Sequence, residues 1–510
     1  MTTVLNFLLP FLFAVLFLYI IGKASFFKIT GISTIWIQLF FSLKILFGIA
    51  LTFVYTHLYT DPQTSDVLLY YNDGKIIADA LRTRPLDGIR LLLGFQNNDY
   101  HLFETYISKM QRWSRVHDFF LINDCRTIIR FDAIVQLISF GAFHGGTVIM
   151  SFLSLTGLVA IFHAFRPFFA GKIKLLILAL VFSPSLIFWS SALLKEGLLI
   201  FANGIFIFSS FRFFREHKTD IKTLFFFSFS IFLSFLVKPY FFILLLPALF
   251  SFFLIKNWRF NYAVIVFLSV FLLFLISVFT LCLFVLNLNP VKELVRYQHD
   301  FINVAKGGIF LYRDSTAVWM KYNDQMNIIK TAKKDTVIIR SGSTYLTWNS
   351  ISKTDTIEIT NSKDTALYWL SANIPPAGSA YLMPHLNYSF SSFIGYLPSA
   401  IGNVLFRPFP NECKSLQQKI CFIENLIFIF LIIGSLFFIS FHDVTNNFFL
   451  FTFFFVLTLF LIIGFTTPVV GAIVRYKAPA LPFLLAGIFS LVDVEKLRST
   501  KLIKFMVDAS

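Results

Sequence analysis

Residues 183–197 read SPSLIFWSSALLKEG, and they set a lysine and a glutamate, Lys195 and Glu196, at the seam between two apolar runs. An ionisable side chain at the centre of a membrane helix costs roughly 2.5–3.5 kcal/mol on insertion scales, so one that persists near lipid faces a watery cavity or a partner. Pro184, Trp189 and the paired serines Ser190 and Ser191 share the stretch. Together they predict a helix that breaks and turns at one membrane face with its polar groups aimed inward. A short loop whose lysine snorkels to the headgroups fits the same residues, and the sequence leaves both readings open.

Working outward, the 510 residues are 57% hydrophobic with 70 phenylalanines, and runs of about 20 apolar residues recur, which defines a polytopic integral membrane protein. The first run, Leu5 to Ile21, lacks a basic start and a small-residue cleavage site, so it reads as a retained helix. The predicted spans are approximately 3–22, 34–58, 145–165, 173–190, 195–213, 222–237, 240–256, 261–286, 421–441, 447–466 and 477–493, about eleven helices in an all-α polytopic fold. The net charge of +16 follows from topology, with no call for nucleic acid. Lys23, Lys28, Arg166, Lys172, Lys174, Arg212, Arg215, Lys256, Arg259, Lys496 and Arg498 fall on one side, the cytoplasm by the positive-inside rule. The N-terminus, the long loops 59–144 and 287–420, and the Lys195 seam then face outward, with the C-terminus cytoplasmic.

Three regions result: 1–286 with the outer loop 59–144, the extracytoplasmic loop 287–420, and the C-terminal membrane region 421–510. In the first loop, TDPQTSDVLLYYNDGKIIADALRTRP carries Asp61, Asp66, Asp73 and Asp79 among apolar residues at helical spacing, which predicts an amphipathic helix along the membrane surface. A second such piece runs from Asp99 to Arg115, where Arg112 and Arg115 read as headgroup anchors around Trp113. TIIRFDAIVQLISF, with Arg126, Arg130 and Asp132, is too short to span and reads as interfacial or re-entrant. In the second loop, about residues 336–370 are rich in Thr, Ile, Ser and Tyr, which predicts a small β-rich insertion with turns at SGS and NSK.

Lys195, Lys238, Arg407, Arg475 and Lys477 gather on the outer side, with Asp61, Asp66, Asp73 and Glu196 available as acids. A cationic basin of this kind suits a phosphate or pyrophosphate headgroup, arginine gripping bidentately and lysine acting as a point charge. Ordinary interfacial cations flanking helices are the competing explanation. Lys44 lies near the middle of the second helix, so that face either packs against other helices, with the lysine bonded to a carbonyl, or lines a cavity. Four cysteines give no disulfide framework; Cys413 and Cys421 fall near the same outer face, and the sequence leaves open whether they pair. The sequence holds no metal-type Cys/His spacing, no Walker motif and no dinucleotide glycine motif.

The runs PSLIFWSSALLKEG, LFRPF (405–409) and VRYKAP (474–479) resemble those of multi-pass proteins encoded with bacterial surface-polysaccharide synthesis genes. The layout is more distantly similar to the GT-C glycosyltransferases. That resemblance implies an inner-membrane enzyme using a polyprenyl-phosphate-linked sugar donor at the extracytoplasmic face. A first-loop carboxylate would be its general base, best matched by Asp66 with Asp61 and Asp73 as rivals, and basic residues would hold the donor phosphate. The acceptor would be a saccharide or a lipid-linked one, and a divalent cation is compatible with such chemistry. The acidic loop here follows the second helix, where the family places it after the first, and the paired acids of many members are absent. A similar resemblance to O-antigen polymerases implies instead a repeat-unit polymerase acting on polyprenyl-pyrophosphate saccharides. A lipid-linked saccharide transporter and a non-catalytic membrane-complex subunit are the non-enzyme alternatives. Transport predicts polar residues through the membrane depth, whereas the charges here gather at one face, apart from Lys44.

Overall fold

A computed structural model of the chain describes residues 2–58, 65–94, 99–113, 124–258, 262–313, 316–321, 328–330, 336–339, 343–349, 354–359, 367–374, 376–440 and 446–500. The chain divides into two compact units, one of Met1–Phe274, Leu426–Leu459 and Lys477–Ser510, the other of Leu275–Asn425 and Phe460–Tyr476.

In chain order the helices are α1 (Thr2–Lys23), α2 (Thr34–Phe53), α3 (Asp66–Thr83), α4 (Pro85–Leu93), α5 (Tyr100–Thr105), α6 (Asp124–Ile138), α7 (Phe143–Phe165), α8 (Ile173–Val181), α9 (Pro184–Trp189) and α10 (Lys195–Ser210). They continue with α11 (Ile221–Val237), α12 (Pro239–Trp258), α13 (Ala263–Thr280), α14 (Pro290–Lys306), α15 (Phe390–Phe406), α16 (Leu416–Leu436), α17 (Asn447–Thr466), α18 (Val470–Lys477), α19 (Leu481–Ser490) and α20 (Val494–Ser499). Among the described residues, eight helices are long and apolar enough to cross a membrane: Asn6–Lys23, Thr34–His57, Phe143–Phe168, Lys195–Arg215, Ala263–Val285, Leu416–Leu436, Asn447–Thr466 and Val470–Ser490. Ile221–Val237, Pro239–Ile255 and Phe390–Phe406 are shorter apolar helices. The chain is therefore a helical, multi-pass membrane protein.

Two expected spans are built differently. The stretch expected as one helix over 173–190 is two short ones, α8 and α9, because Pro184 has no N–H to donate and Ser183 caps the second, its Oγ accepting from Leu186 N at 3.1 Å. The last helix begins at Val470 rather than 477, so Arg475 and Lys477 lie in its first turns. Pro479 does not end it, since residues 478–480 tighten to a 3₁₀ turn and pass directly into α19.

In the first unit, α7 packs against α10 along small residues. A Cβ placed on Gly204 would fall 2.7 Å from the Gly157 Cα, a backbone approach that only glycine permits. Phe165 meets Phe448, Phe451 and Phe483 edge-on, joining α7 to α17 and α19. Lys172, expected as a loop cation, is buried and its Nζ donates to the Ser490 and Val492 carbonyls at 2.7 and 2.6 Å, closing the C-terminal end of α19. The first-loop helices are not a uniform surface layer. α3 turns Val67, Tyr70, Ile77 and Ala78 into the protein and packs on α6, and among the described residues of the loop the exposed large apolar side chains include Leu86, Ile89 and Leu93 of α4, Tyr100 and Phe103 of α5, and Ile134, Ile138 and Phe140 at and just after the end of α6.

The second unit carries a small core of Val295, Leu386, Ala400 and Phe465. Between α14 and α15 run seven strands, β1 (Gly308–Arg313), β2 (Thr316–Lys321), β3 (Ile328–Lys330), β4 (Thr336–Ile339), β5 (Ser343–Asn349), β6 (Thr354–Ile359) and β7 (Leu367–Ile374). They form an antiparallel sheet in the order β3-β4-β7-β1-β2-β5-β6. Strands thus begin well before residue 336, and the SGS segment joins β4 to β5, which are not neighbours in the sheet; SGS begins, and NSK wholly lies, outside the described residues. No disulfide links Cys413 to Cys421: the Cys413 Sγ lies 3.3 Å from the Phe409 carbonyl oxygen and 3.6 Å from that of Gln418.

Candidate functional site

The break between α9 and α10 is held open by side chains that satisfy its backbone. Residues 190–194 are irregular, and a backbone of that kind is tolerated at membrane depth only where protein groups replace the lost helical hydrogen bonds. The Ser151 hydroxyl donates to the Ser191 carbonyl at 3.0 Å, the Ser191 hydroxyl to the Ile187 carbonyl at 2.5 Å, and the Lys44 Nζ to the Ser190 Oγ at 2.7 Å. Lys44 therefore serves the seam through a hydroxyl, and the close approach of α2 is possible because Gly48 faces the Ser191 carbonyl with no Cβ between. With the turn fixed, α10 starts at Lys195 with Glu196 in its first turn, where the helix dipole favours a carboxylate by about 0.3–1 kcal/mol.

Three chain segments meet at that point. The Glu196 Oε1 accepts from the Lys238 Nζ at 3.0 Å, an ion pair whose side chains are 1% and 5% exposed. Lys238 is placed by the turn between α11 and α12, and α11 is tied to α6 where the Thr127 hydroxyl donates to the Leu236 carbonyl at 2.9 Å. The Lys195 Nζ lies 3.2 Å from the Cys125 Sγ of α6 and 5.4 Å from the centroid of the Tyr70 ring of α3, within reach of the ring's negative face. The Tyr70 hydroxyl is 3.6 Å from the same sulfur. One turn earlier on the same side of α3, Asp66 pairs with the Arg112 guanidinium at 3.2 Å. Asp66, Lys195, Glu196 and Lys238 are thus brought into one region of the first unit. Arg112, expected to reach for headgroups, turns inward.

Asp73 has a different job. It is buried and accepts from the Gln111 and Arg112 backbone N–H groups at 2.9 and 2.7 Å, which fixes the turn that presents Arg112. Burial raises its carboxyl above the usual aspartate range, opposed by those N–H donors and by the Arg112 charge. Below the turn, Trp113 is stacked by Arg126 and Arg130 at 5.3 and 5.1 Å, and the Arg126 Nε donates to the Trp113 carbonyl at 3.0 Å. Burial, with Arg126 adding repulsion, lowers Arg130 to about 10. Asp132 is wholly buried and accepts from the Gln136 amide at 3.2 Å, and burial holds its carboxyl well above the usual aspartate range.

Asp61 and Arg115 lie outside the described residues. Lys477 is buried in the first unit, and the 3₁₀ turn that follows it packs against α9 and α10. Arg407 and Arg475 belong to the second unit. There Arg407 is built into a polar cluster: its Nε donates to the Asn403 Oδ1 at 2.9 Å, its guanidinium pairs with Glu412 and stacks 3.8 Å from the Tyr381 ring centroid, and its carbonyl accepts from the Asn425 amide at 2.6 Å.

Sequence reasoning passed over Tyr70 and Cys125. Tyr70 carries a signal, four residues after Asp66 on the same helix face; Cys125 carries none, since nothing local distinguishes a thiol facing a lysine from one in the core. Among the described residues no group of three or more His, Cys, Asp or Glu side chains is gathered to hold a metal ion. Asp66 and Glu196 are each ion-paired, Asp66 with Arg112 and Glu196 with Lys238. No protein-family model, no curated protein and no solved structure matches this chain.

Proposed function

We propose that the chain is an integral membrane glycosyltransferase of bacterial surface-polysaccharide synthesis, in the inner membrane, using a polyprenyl-phosphate-linked sugar donor at the extracytoplasmic face. The reading takes eleven passages, counting the α8–α9 pair as one and leaving α15 at the membrane surface, with the N-terminus outside and the sheet of the second long loop outside. The observation that supports it is the meeting of the Asp66–Arg112 pair of the first loop with the Lys195 and Glu196–Lys238 cluster at the α10 start.

In this reading Asp66, paired with Arg112, takes the proton of the acceptor hydroxyl as its oxygen bonds to the anomeric carbon. The bond from that carbon to the carrier phosphate breaks, and the leaving phosphate keeps the electron pair. Lys195 faces the charge that grows there, and the first-turn N–H groups of α10 add their partial positive charge. Lys238, committed to Glu196, sets the position of the α10 start and is a positioning residue.

The test has two parts. Gene deletion followed by mass spectrometry of lipid-linked and surface saccharides yields a truncated unit for a transferase; accumulated single repeat units assign a polymerase instead. Membranes bearing Asp66→Asn or Lys195→Met at unchanged abundance form no product if the cluster is the site, and full activity in both rejects it.

A further inference from the structure

The second unit holds a cavity of about 230 Å³ lined by Phe279, Leu283, Asn289, Val291, Lys292 and Tyr388. Its walls come from three places: the end of the span Ala263–Val285, the start of α14, and the segment leading into α15. The span is only 11% buried, and Leu275, Ile276, Phe279, Leu283 and Phe284 of this unit are all exposed, so the apolar wall of the cavity continues a lipid-facing helix surface. The polar wall is different in kind. Asn289 is committed to the helix, its Oδ1 accepting from the Val291 and Lys292 N–H groups at 3.0 and 3.2 Å. Lys292 is exposed, and no carboxylate among the described residues lies within ion-pair distance of it; Glu293, the next residue, pairs with Arg296 at 2.9 Å instead. Tyr388, 61% exposed, puts a phenol at the same rim, the amphipathic residue favoured where hydrocarbon gives way to headgroups.

We propose that this cavity seats one anionic phospholipid of the bilayer, an acyl chain lying along Phe279 and Leu283 and the phosphate meeting the Lys292 ammonium. Charge and continuity both select this occupant. A free phosphate has no use for the apolar wall, and a zwitterionic lipid carries its own cation to the lysine. A juxtamembrane lysine contributes about 1 kcal/mol of attraction to anionic lipid, about fivefold in affinity. The seat is independent of the glycosyltransferase reading, since none of its residues belongs to the cluster around Lys195.

Native mass spectrometry of the full chain released from detergent, titrated with phosphatidylglycerol or phosphatidylcholine, tests it. The expected result is one phosphatidylglycerol retained more tightly than phosphatidylcholine, with Lys292→Gln weakening that retention about fivefold and Lys306→Gln, on the last turn of the same helix, leaving it unchanged. A bulky Leu283→Trp, which fills the apolar wall without touching charge, lowers retention of both lipids. Equal retention of the two lipids by the wild-type chain, or unchanged phosphatidylglycerol retention in Lys292→Gln, overturns the proposal. So does displacement of the bound lipid by millimolar inorganic phosphate, which identifies a simple phosphate site.

Discussion

The Glu196–Lys238 pair makes a sharp quantitative demand. At 3.0 Å and an effective dielectric constant near 20, the attraction is about 5.5 kcal/mol, set against the desolvation of two side chains that are 1% and 5% exposed. The net worth of the pair is small, but removing one partner strands the other, a change that costs about 3–5 kcal/mol. Lys238→Met leaves the carboxylate alone, and its escape is to take up a proton. From an ordinary glutamate value near 4.3, that uptake costs about 3.7 kcal/mol at pH 7 and about 1 kcal/mol at pH 5, so the loss in Lys238→Met is capped near those values and shrinks as the solution is acidified. Glu196→Gln strands an ammonium and gains nothing from acid. The double variant Glu196→Gln/Lys238→Met, with no charge left, returns to within about 1–2 kcal/mol of wild type. Denaturant titrations in a mild detergent at pH 5 and pH 7, read by tryptophan fluorescence, measure all four proteins. Single-variant losses below about 1 kcal/mol at pH 7, or a double variant as unstable as the sum of the singles, would falsify the claim that these charges are buried against one another.

Three further outcomes follow from particular contacts. Asp73→Asn replaces a carboxylate that accepts two backbone N–H groups with an amide whose second atom is a donor, and it destabilises the Met110–Trp113 turn by about 2–3 kcal/mol, seen as faster hydrogen exchange at Gln111 and Arg112. Gly204→Val drives a branched side chain into the Gly157 backbone and costs about 1–3 kcal/mol or more, read as a lowered unfolding midpoint. Burial lifts Asp300 of α14 from 3.8 to about 8, so the folded protein keeps a proton there that the unfolded chain has released. Stability from this group is full below pH 4, falls as pH rises, and levels off above about 8; Asp300→Asn removes that slope from melting curves taken between pH 5 and 9, and an unchanged slope refutes the assignment.

The membrane class is legible because about 20-residue apolar runs leave few alternatives, and the Lys195–Glu196 pair marks the seam at the start of α10, whereas the α8–α9 break at Pro184 falls inside one expected span. Other features depend on contacts that no local pattern encodes. Lys195 meets a cysteine 70 positions earlier, Lys238 a glutamate 42 positions earlier, and Lys172 carbonyls more than 300 positions later. Helical periodicity correctly marked α3 as two-faced but not what it faces: lipid and α6 are both apolar partners, and only the packing decides between them. The strand order is hidden for the same reason, since alternation marks a strand while β7 returns between β4 and β1 through pairings remote in sequence.

Asp66 and Asp73 enter as rivals for the general-base role of the proposed reading, and their surroundings suit them to it unequally. A general base must exchange its partner for an acceptor hydroxyl, so it needs access and a bond it can share. Asp73, 1% exposed and accepting from two backbone N–H groups, has neither, and disturbing it unfolds a turn. Asp66 holds a guanidinium at the start of α3, with its side chain 21% exposed, and a partly exposed ion pair opens at little cost. Arg112 joins the two, its backbone fixed by Asp73 and its side chain by Asp66. The buried acid thus fixes the backbone of the arginine that pairs with the accessible one, and under the proposed glycosyltransferase reading a change at Asp73 reaches Asp66 through Arg112.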